Sequence, residues 1–178
     1  MTTVTTIPEA SALIDAEKRK GRTIGFVPTM GALHEGHIAL MKRAAEENDL
    51  LVVSVFVNPI QFNNPDDLKN YPRDLQRDAL KLESAGCDLL FAPSAEEMYP
   101  DDEIPKFDFG RLEEVMEGRF RPGHFNGVAV VVDKLFRIIN PDHAYFGQKD
   151  FQQLAVIRRL VRMESHPVKI VACPTVRE

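Results

Sequence analysis

The sequence has little cysteine, no excess of positive charge and no long apolar run, and each absence excludes a class of protein. Only Cys87 and Cys173 occur among 178 residues, which argues against a disulfide-stapled secreted scaffold and, by their spacing, against a metal pair. Basic residues number 22 against 27 acidic ones, so the chain lacks the electrostatic footprint for nucleic acid or an anionic membrane surface. We therefore expect any nucleotide partner to be small.

The chain also lacks the features of membrane-spanning and secreted proteins. No segment reaches the roughly 18 consecutive apolar residues that a membrane span requires, and residues 1–8 lack the basic start and apolar stretch of a signal peptide. These absences predict a cytoplasmic protein without a membrane partner. Hydrophobic residues make up 44% of the sequence, which is enough for the core of one domain. We expect residues 1–178 to form that single domain.

Apolar, β-branched segments alternate with segments of helical periodicity, and this order is typical of a parallel sheet flanked by helices. The predicted strands are residues 23–27, 50–57, 89–92, 144–146 and 168–172. The predicted helices are residues 9–20, 36–48, 74–85, 127–140 and 150–163. Residues 127–140 are rich in valine, but their apolar positions follow a helical spacing that leaves Asp133, Lys134 and Arg137 on the opposite, polar face. The predicted fold class is α/β.

Three long polar connections, residues 58–72, 93–110 and 118–126, follow predicted strands or lie between them. Long loops without secondary structure in a compact domain are usually either disordered or functional. Open α/β sheets bind their ligands outside the carboxyl ends of the strands. The sequence therefore predicts a ligand site at that edge of the sheet.

The most informative segment, residues 26–40, leaves the first predicted strand and enters a helix near Gly36. His34 and His37 are three residues apart at the start of this helix, beside backbone N–H groups and the positive end of the helix dipole. This arrangement fits a phosphate, although the spacing alone equally fits a turn with two exposed histidines. A zinc site is disfavoured because the histidines are one residue too close for the helical metalloprotease motif and no third ligand is evident.

The string Pro-Thr-Met-Gly-Ala-Leu-His-Glu-Gly-His at residues 28–37 resembles the pantothenate synthetase form of the His-x-Gly-His signature of nucleotidylyltransferases. The resemblance continues through residues 55–62, 71–73, 91–94, 117–125, 134–136 and 144–154, and so covers nearly the whole chain. It implies a Rossmann-like sheet with helices on both faces. It also implies ATP-dependent condensation of pantoate with β-alanine through a pantoyl adenylate, with AMP and pyrophosphate as products.

The resemblance further implies which residues form the site. His34, His37 and Lys149 would be catalytic because they stabilise charge that accumulates on phosphate oxygens, and His37 would also donate a proton to the leaving group. ATP would contact the residues Met30, Gly31, Ala32, Leu33, His34, Glu35, Gly36, His37, Gly147, Gln148, Lys149, Asp150 and Val176. Pantoate and β-alanine would contact Gln61, Gln153 and Met30. Without the resemblance, residues 148–150 would fit a solvated turn that caps the next helix better than a phosphate site.

Other parts of the resemblance are less specific. Mg²⁺ is expected to accompany ATP, and Asp78 resembles a family position near the metal. The residues Tyr71, Arg73, Arg119, Arg121 and His124 would form either a rim that clamps phosphate or solvated loop charge. The family pairs its subunits through this domain, which implies a homodimer, with residues 51–57 or 128–139 as contact surfaces.

The sequence reaches Glu178 before the position of the family's second signature, a loop over the phosphates, and of its smaller C-terminal domain. We therefore expect residues 1–178 to bind nucleotide but to turn over poorly. Two other functions stay open. One is a different small-molecule adenylyltransferase with a phosphate nucleophile, whose pocket would carry cations in place of Gln61 and Gln153. The other is a non-catalytic nucleotide-binding module.

Overall fold

A computed structural model of the chain describes residues 1–101, 103–112, 123–149 and 151–174. Within them, six strands form one sheet in which every paired strand runs parallel to its neighbour. The strands are β1 (Thr2–Val4), β2 (Ile24–Thr29), β3 (Leu50–Val55), β4 (Leu89–Phe91), β5 (His143–Gly147) and β6 (Lys169–Cys173). Their order is β1-β4-β3-β2-β5-β6. The predicted parallel α/β sheet is confirmed, and β1 is an additional edge strand.

The helices surround this sheet on both faces. They are α1 (Ile7–Arg19), α2 (Glu35–Glu47), α3 (Pro65–Asn70), α4 (Leu75–Ser84), α5 (Ala95–Met98), α6 (His124–Ile139) and α7 (Phe151–Met163). A single turn of 3₁₀ helix, Pro59–Gln61, follows β3. The five predicted helices are confirmed to within three residues at each end, whereas α3, α5 and the 3₁₀ turn lie in connections for which no structure is predicted.

The valine-rich α6 is a helix because its apolar side chains share one face and bury it against the sheet. Val128, Phe136 and Ile139 are at most 2% exposed, and the ring of Phe136 meets that of Phe26 on β2 edge-on at 6.4 Å. Asp133, predicted on the polar face, is buried instead. Its carboxylate accepts a 2.7 Å hydrogen bond from His166 Nε2, and this bond satisfies the polar group in the interior.

The sheet has a hydrophobic cluster on each face. Helices α1, α6 and α7 contribute to one cluster, and α2 and α4 contribute to the other. Residues 51–57 belong to the central strand β3 and its exit, and most of their side chains are buried. The apolar side chains of residues 128–139 are buried in the same way. Most apolar side chains of both segments are therefore used in the chain's own core, and the two segments as dimer contacts stay a prediction.

The strand order of the sheet reverses direction at β2. From β2 the chain proceeds through β3 to β4 on one side, and it returns to place β5 and β6 on the other side of β2. In open α/β sheets, ligands bind at such a reversal, outside the carboxyl ends of the strands. The ends of β3, β2 and β5 lie side by side here. No helix among the described residues is both long enough and apolar enough to cross a membrane.

Candidate active site

The two histidines after β2 hold one another in a fixed arrangement at the start of α2. His34 is the N-cap residue, and its Nδ1 accepts a 3.0 Å hydrogen bond from the backbone N–H of Gly36. The backbone N–H of His34 donates to Nδ1 of His37 at 3.2 Å, and the ring centroids are 4.1 Å apart. Because both Nδ1 atoms are acceptors, each neutral ring carries its proton on Nε2. The pair therefore offers two Nε2–H donors.

The charge state of His37 follows from its surroundings. Burial disfavours the imidazolium and His34 lies close by, so the pKa of His37 is lowered from 6.5 to about 4, an effect that Asp78 partly opposes and Lys81 reinforces. At neutral pH the ring is therefore uncharged and donates a hydrogen bond rather than carrying an extra proton. The expectation that His37 protonates a leaving group stays a prediction. His34 is exposed to solvent at the edge of the sheet.

The turn between β2 and α2 is bonded to α4. Both oxygens of Asp78 accept backbone hydrogen bonds, Oδ2 from Ala32 and Oδ1 from Leu33, each at 3.1 Å. Asp78 is 4% exposed. The N–H groups of Ala32 and Leu33 are therefore already bonded, and the ring donors of the histidines, rather than these amides, are left for an anion. Of the other predicted residues here, Met30 is half-buried and Glu35 is exposed.

Gln61 lies at the end of the 3₁₀ turn, and a buried asparagine sets the orientation of its side chain. Asn58, 1% exposed, donates from Nδ2 to Oε1 of Gln61 and to the carbonyl oxygen of Gly127, both at 3.0 Å. The hydroxyl of Tyr99 donates to Oδ1 of Asn58 at 2.7 Å. Because Oε1 of Gln61 accepts from Asn58, its amide nitrogen is the group left to donate to a ligand.

The backbone of Gln61 is held from α6. Nδ1 of His124 donates to the carbonyl oxygen of Gln61 at 3.0 Å, and His124 is 5% exposed. A Cβ added to Gly127 would lie 2.7 Å from Cα of Gln61, so only glycine permits this approach. The ring is buried, so the interpretation of His124 as solvated loop charge is wrong, whereas its place in a phosphate rim stays a prediction.

The third part of the predicted site follows β5. Gly147 ends the strand, Gln148 and Lys149 are exposed, and the backbone N–H of Gln148 donates to the carbonyl oxygen of Cys173 at 2.9 Å. Gln153 lies half-buried in the first turn of α7. Since β5 neighbours β2 and β2 neighbours β3, the structure brings the histidines, Gln61 and Lys149 to adjacent strand ends.

Of the remaining predicted residues, two lie in the described part of the chain and four lie outside it. Tyr71 is half-buried, with its ring edge-on to Phe62 at a centroid distance of 5.7 Å, and exposed Arg73 donates to the carbonyl oxygen of Tyr71 at 3.4 Å. The residues that lie outside the described part of the chain are Asp150, Val176, Arg119 and Arg121.

The described part of the chain does not bring together a set of protein ligands for a metal ion. Those residues contain no group of three or more histidine, cysteine or acidic side chains able to hold an ion. Both oxygens of Asp78 are already used by backbone N–H groups. These residues therefore do not form a dedicated Mg²⁺ site, and the placement of Asp78 near a metal stays a prediction.

A concavity among the described residues lies away from this candidate site. It has a volume of about 560 Å³ between α2 and the strands β5 and β6. Its polar lining residues are Arg43, Glu47, His143, Tyr145, Arg158 and Lys169. Within it, Tyr145 donates to Glu47 at 2.8 Å and accepts from Asn48 at 2.9 Å, so these groups satisfy one another. None of the predicted site residues lines it.

Comparison with known proteins decides the family. The pantoate-beta-alanine ligase family matches residues 2–178. The chain belongs to this family. A pantothenate synthetase from Phocaeicola vulgatus is 56% identical over 179 residues, an alignment that covers 100% of this chain and 64% of that protein. The chain thus spans less than two thirds of the length of this relative.

Solved structures of the ligase family share the fold. A pantothenate synthetase from Thermus thermophilus superposes with a TM-score of 0.92 at 52% identity, covering 100% of this chain and 63% of that one. A pantoate-beta-alanine ligase from Francisella tularensis, crystallised with beta-gamma ATP and beta-alanine, superposes with a TM-score of 0.96 at 44% identity. It is covered to 68% by this chain, all of which is aligned. The predicted family resemblance and Rossmann-like fold are confirmed.

The sequence predicts the residues at the strand ends but not those that support them. No pattern predicts Asn58, Tyr99 and Gly127 as part of the site, although Asn58 lies in the segment 55–62 that carries the family resemblance. A polar residue directly after a buried strand is a signal of such a role, because it must find a hydrogen-bond partner inside the protein. Two of its partners, Tyr99 and Gly127, are 41 and 69 residues distant in sequence, which no local pattern reveals.

Proposed function

We propose that this chain carries the ATP- and pantoate-binding site of a ligase that condenses pantoate with β-alanine to pantothenate, through a pantoyl adenylate. The main support is the pair His34 and His37, whose ring centroids are 4.1 Å apart and which present Nε2–H donors beyond the carboxyl end of β2. The Francisella ligase, crystallised with beta-gamma ATP and beta-alanine, belongs to the same family and supports the choice of substrates.

In the first step, the pantoate carboxylate attacks the α-phosphorus of ATP and pyrophosphate leaves. A carboxylate is ionised at pH 7, so the step requires no strong base. It requires stabilisation of the negative charge that grows on phosphate oxygens and on the departing pyrophosphate. The two ring Nε2–H groups supply hydrogen bonds for this charge, and the exposed ammonium of Lys149 at the end of β5 supplies a cation.

The acid is held by neutral amides. Gln61 donates from its amide nitrogen to an oxygen of pantoate, because its own oxygen is already bonded to Asn58. Gln153, in the first turn of α7, acts from the other side of β2. A neutral donor orients the carboxylate without pairing it with a full positive charge, so its nucleophilicity is retained. A phosphate nucleophile would instead favour cations at these positions.

In the second step, the amine of β-alanine attacks the acyl carbon of pantoyl adenylate, the acyl–phosphate bond breaks and AMP leaves. Mg²⁺ would enter with the triphosphate, held mainly by phosphate oxygens and water. The nucleotide contacts assigned to residues 30–37 and 147–150 and to Val176 belong to the same proposal. So do a homodimer formed through this domain and a cytoplasmic location.

The decisive test is exchange of pyrophosphate into ATP, measured in a protein that carries this chain at the full length of its relatives. Pantoate should start exchange, whereas phosphopantetheine and nicotinamide mononucleotide, which attack through phosphate, should not. No exchange with pantoate would contradict the proposed function. The chain of residues 1–178 should bind ATP but form AMP slowly, because the family's second signature is not among its residues. Rapid AMP formation by it would contradict that part.

The assignment of Gln61 has its own matched pair of variants. Gln61→Ala removes the donor and should weaken pantoate binding by about tenfold, the effect of losing one hydrogen bond to a charged group. Gln76→Ala, at an exposed position of α4, should leave binding unchanged. Calorimetric titration with pantoate in the presence of ATP measures both. Equal affinities in the two variants would remove Gln61 from the pantoate site.

A further inference from the structure

Two charged side chains on α4 form hydrogen bonds with the backbone of the turn between β2 and α2. Asp78 accepts from the N–H groups of Ala32 and Leu33 at 3.1 Å. One helical turn further on, Lys81 donates from Nζ to the carbonyl oxygen of Leu33 at 2.7 Å. Opposite charges thus bind opposite ends of the same short backbone segment.

The segment needs such support because its backbone is strained. Gly31 and Ala32 both have left-handed φ angles, 81° and 51°, and alanine seldom adopts this region. Leu33 is 3% exposed, so its N–H would remain unsatisfied without Asp78. A Cβ at Gly31 would lie 2.9 Å from Oδ2 of Asp78, which shows how closely the carboxylate approaches the turn.

The same segment sets the position of both histidine rings. Leu33 immediately precedes His34, whose backbone N–H is bonded to Nδ1 of His37 and whose side chain caps α2. A displacement of the peptide after Leu33 therefore moves the hydrogen bond that fixes the His37 ring. The contacts of α4 end on the backbone that carries the two Nε2–H donors.

We propose that Asp78 and Lys81 are positioning residues of the nucleotide site, which act through the turn at residues 31–33 to orient His34 and His37. This inference rests on the proposed function, since it assigns the rings to ATP. It gives Asp78 a role other than metal ligation. Both carboxylate oxygens are directed at backbone N–H groups, and the ammonium of Lys81 on the same side of α4 would repel a cation.

Two variants test the proposal, each with a matched control. Asp78→Asn leaves only one acceptor oxygen for two N–H groups, and Lys81→Met keeps the apolar stem but removes the donor. In calorimetric titration of residues 1–178, ATP affinity should fall about tenfold in the first and about fivefold in the second, the loss expected for one or two hydrogen bonds. Glu83→Gln on α4 and Lys42→Met on α2, both exposed, should bind as the unaltered chain does.

A second readout separates positioning from a general loss of stability. Imidazole ¹⁵N chemical shifts report which ring nitrogen carries the proton, and both rings should show Nε2–H in the unaltered chain. In Asp78→Asn and Lys81→Met, measured well below the unfolding midpoint, the His37 signals should move toward a mixture of tautomers. Lys81→Arg, which retains a donor, should restore both the signals and most of the ATP affinity.

The possible outcomes are distinct. Unchanged ring signals and ATP affinity in both variants would overturn the positioning role while leaving the proposed function intact. Failure of the unaltered chain to bind ATP would contradict the proposed function, and the ring signals would still decide the role of Asp78 and Lys81. A loss of affinity in Asp78→Asn that occurs only when Mg²⁺ is present, with Lys81→Met unaffected, would indicate a metal ligand and overturn positioning.

Discussion

Gly127 provides the most direct test of the support beneath Gln61. A Cβ at this position would lie 2.7 Å from Cα and 2.9 Å from Cβ of Gln61, and 2.8 Å from the carbonyl oxygen of Ile60. Two of these atoms are backbone and cannot rotate away. To restore an ordinary contact of 3.4 Å from 2.7 Å, the 3₁₀ turn must move by about 0.7 Å.

Two opposing contributions decide whether Gly127→Ala raises or lowers the free energy of unfolding. In a helix interior, alanine is favoured over glycine by about 1 kcal/mol. Overpacking a well-packed site costs about 1–3 kcal/mol. We therefore expect Gly127→Ala to lower the free energy of unfolding by up to about 2 kcal/mol instead of raising it. A displacement of this size should also weaken pantoate binding by at least about tenfold, because the hydrogen bonds of Asn58 would stretch.

Urea denaturation of residues 1–178 measures the first effect, and titration with pantoate in the presence of ATP measures the second. Gly147→Ala is the control for stability, because nothing lies within 4 Å of a Cβ at that position, and its free energy of unfolding should change by less than about 0.5 kcal/mol. A Gly127→Ala variant that is more stable than the unaltered chain and binds pantoate equally well would show that the close approach of Gly127 does not support Gln61.

Three further variants address the other parts of the site. Tyr99→Phe leaves Oδ1 of buried Asn58 without its 2.7 Å donor, so denaturation should show a loss of about 1–3 kcal/mol and titration a weaker pantoate complex. Burial and the nearby His34 lower the pKa of His37 from 6.5 to about 4, so between those pH values only the unfolded chain takes up a proton on this ring. As the pH falls from 6.5 to 4, the free energy of unfolding of the unaltered chain should therefore decrease relative to that of His37→Gln. Parallel curves for the two proteins would contradict this. Lys149→Met should weaken ATP binding and reduce its salt dependence without changing the unfolding midpoint, because the side chain is exposed.

Periodicity and strand propensity predict the layers of this fold because burial against a sheet imposes a pattern on consecutive residues. The helical spacing of residues 127–140 identifies α6 in spite of its valines, and the alternation of elements identifies the parallel sheet. The strand β1 is missed because Thr2 and Thr3 carry no apolar signal. Asp133 is misplaced because its burial depends on His166, 33 residues further along the chain.

The candidate site, like the fold, has parts that the sequence predicts and parts that it does not. The residues at the strand ends follow from the motif at residues 28–37 and from the rule that ligands bind at carboxyl edges. The supporting contacts do not follow, because Asp78 lies 45 residues from Leu33 and Gly127 lies 69 residues from Asn58. Which buried polar groups meet is decided by the packing of distant elements, and spacing along the sequence does not encode it.

The two halves of the candidate site, the histidines and Gln61, depend on opposite layers of the fold. The histidines begin α2, whose core residues pack on one face of the sheet, whereas Gln61 rests on α6, which packs on the other. In the proposed reaction, the gap between phosphorus and carboxylate would therefore depend on how the layers on the two faces of the sheet pack. Substitutions deep in either core, far from any ligand, are then expected to change that gap.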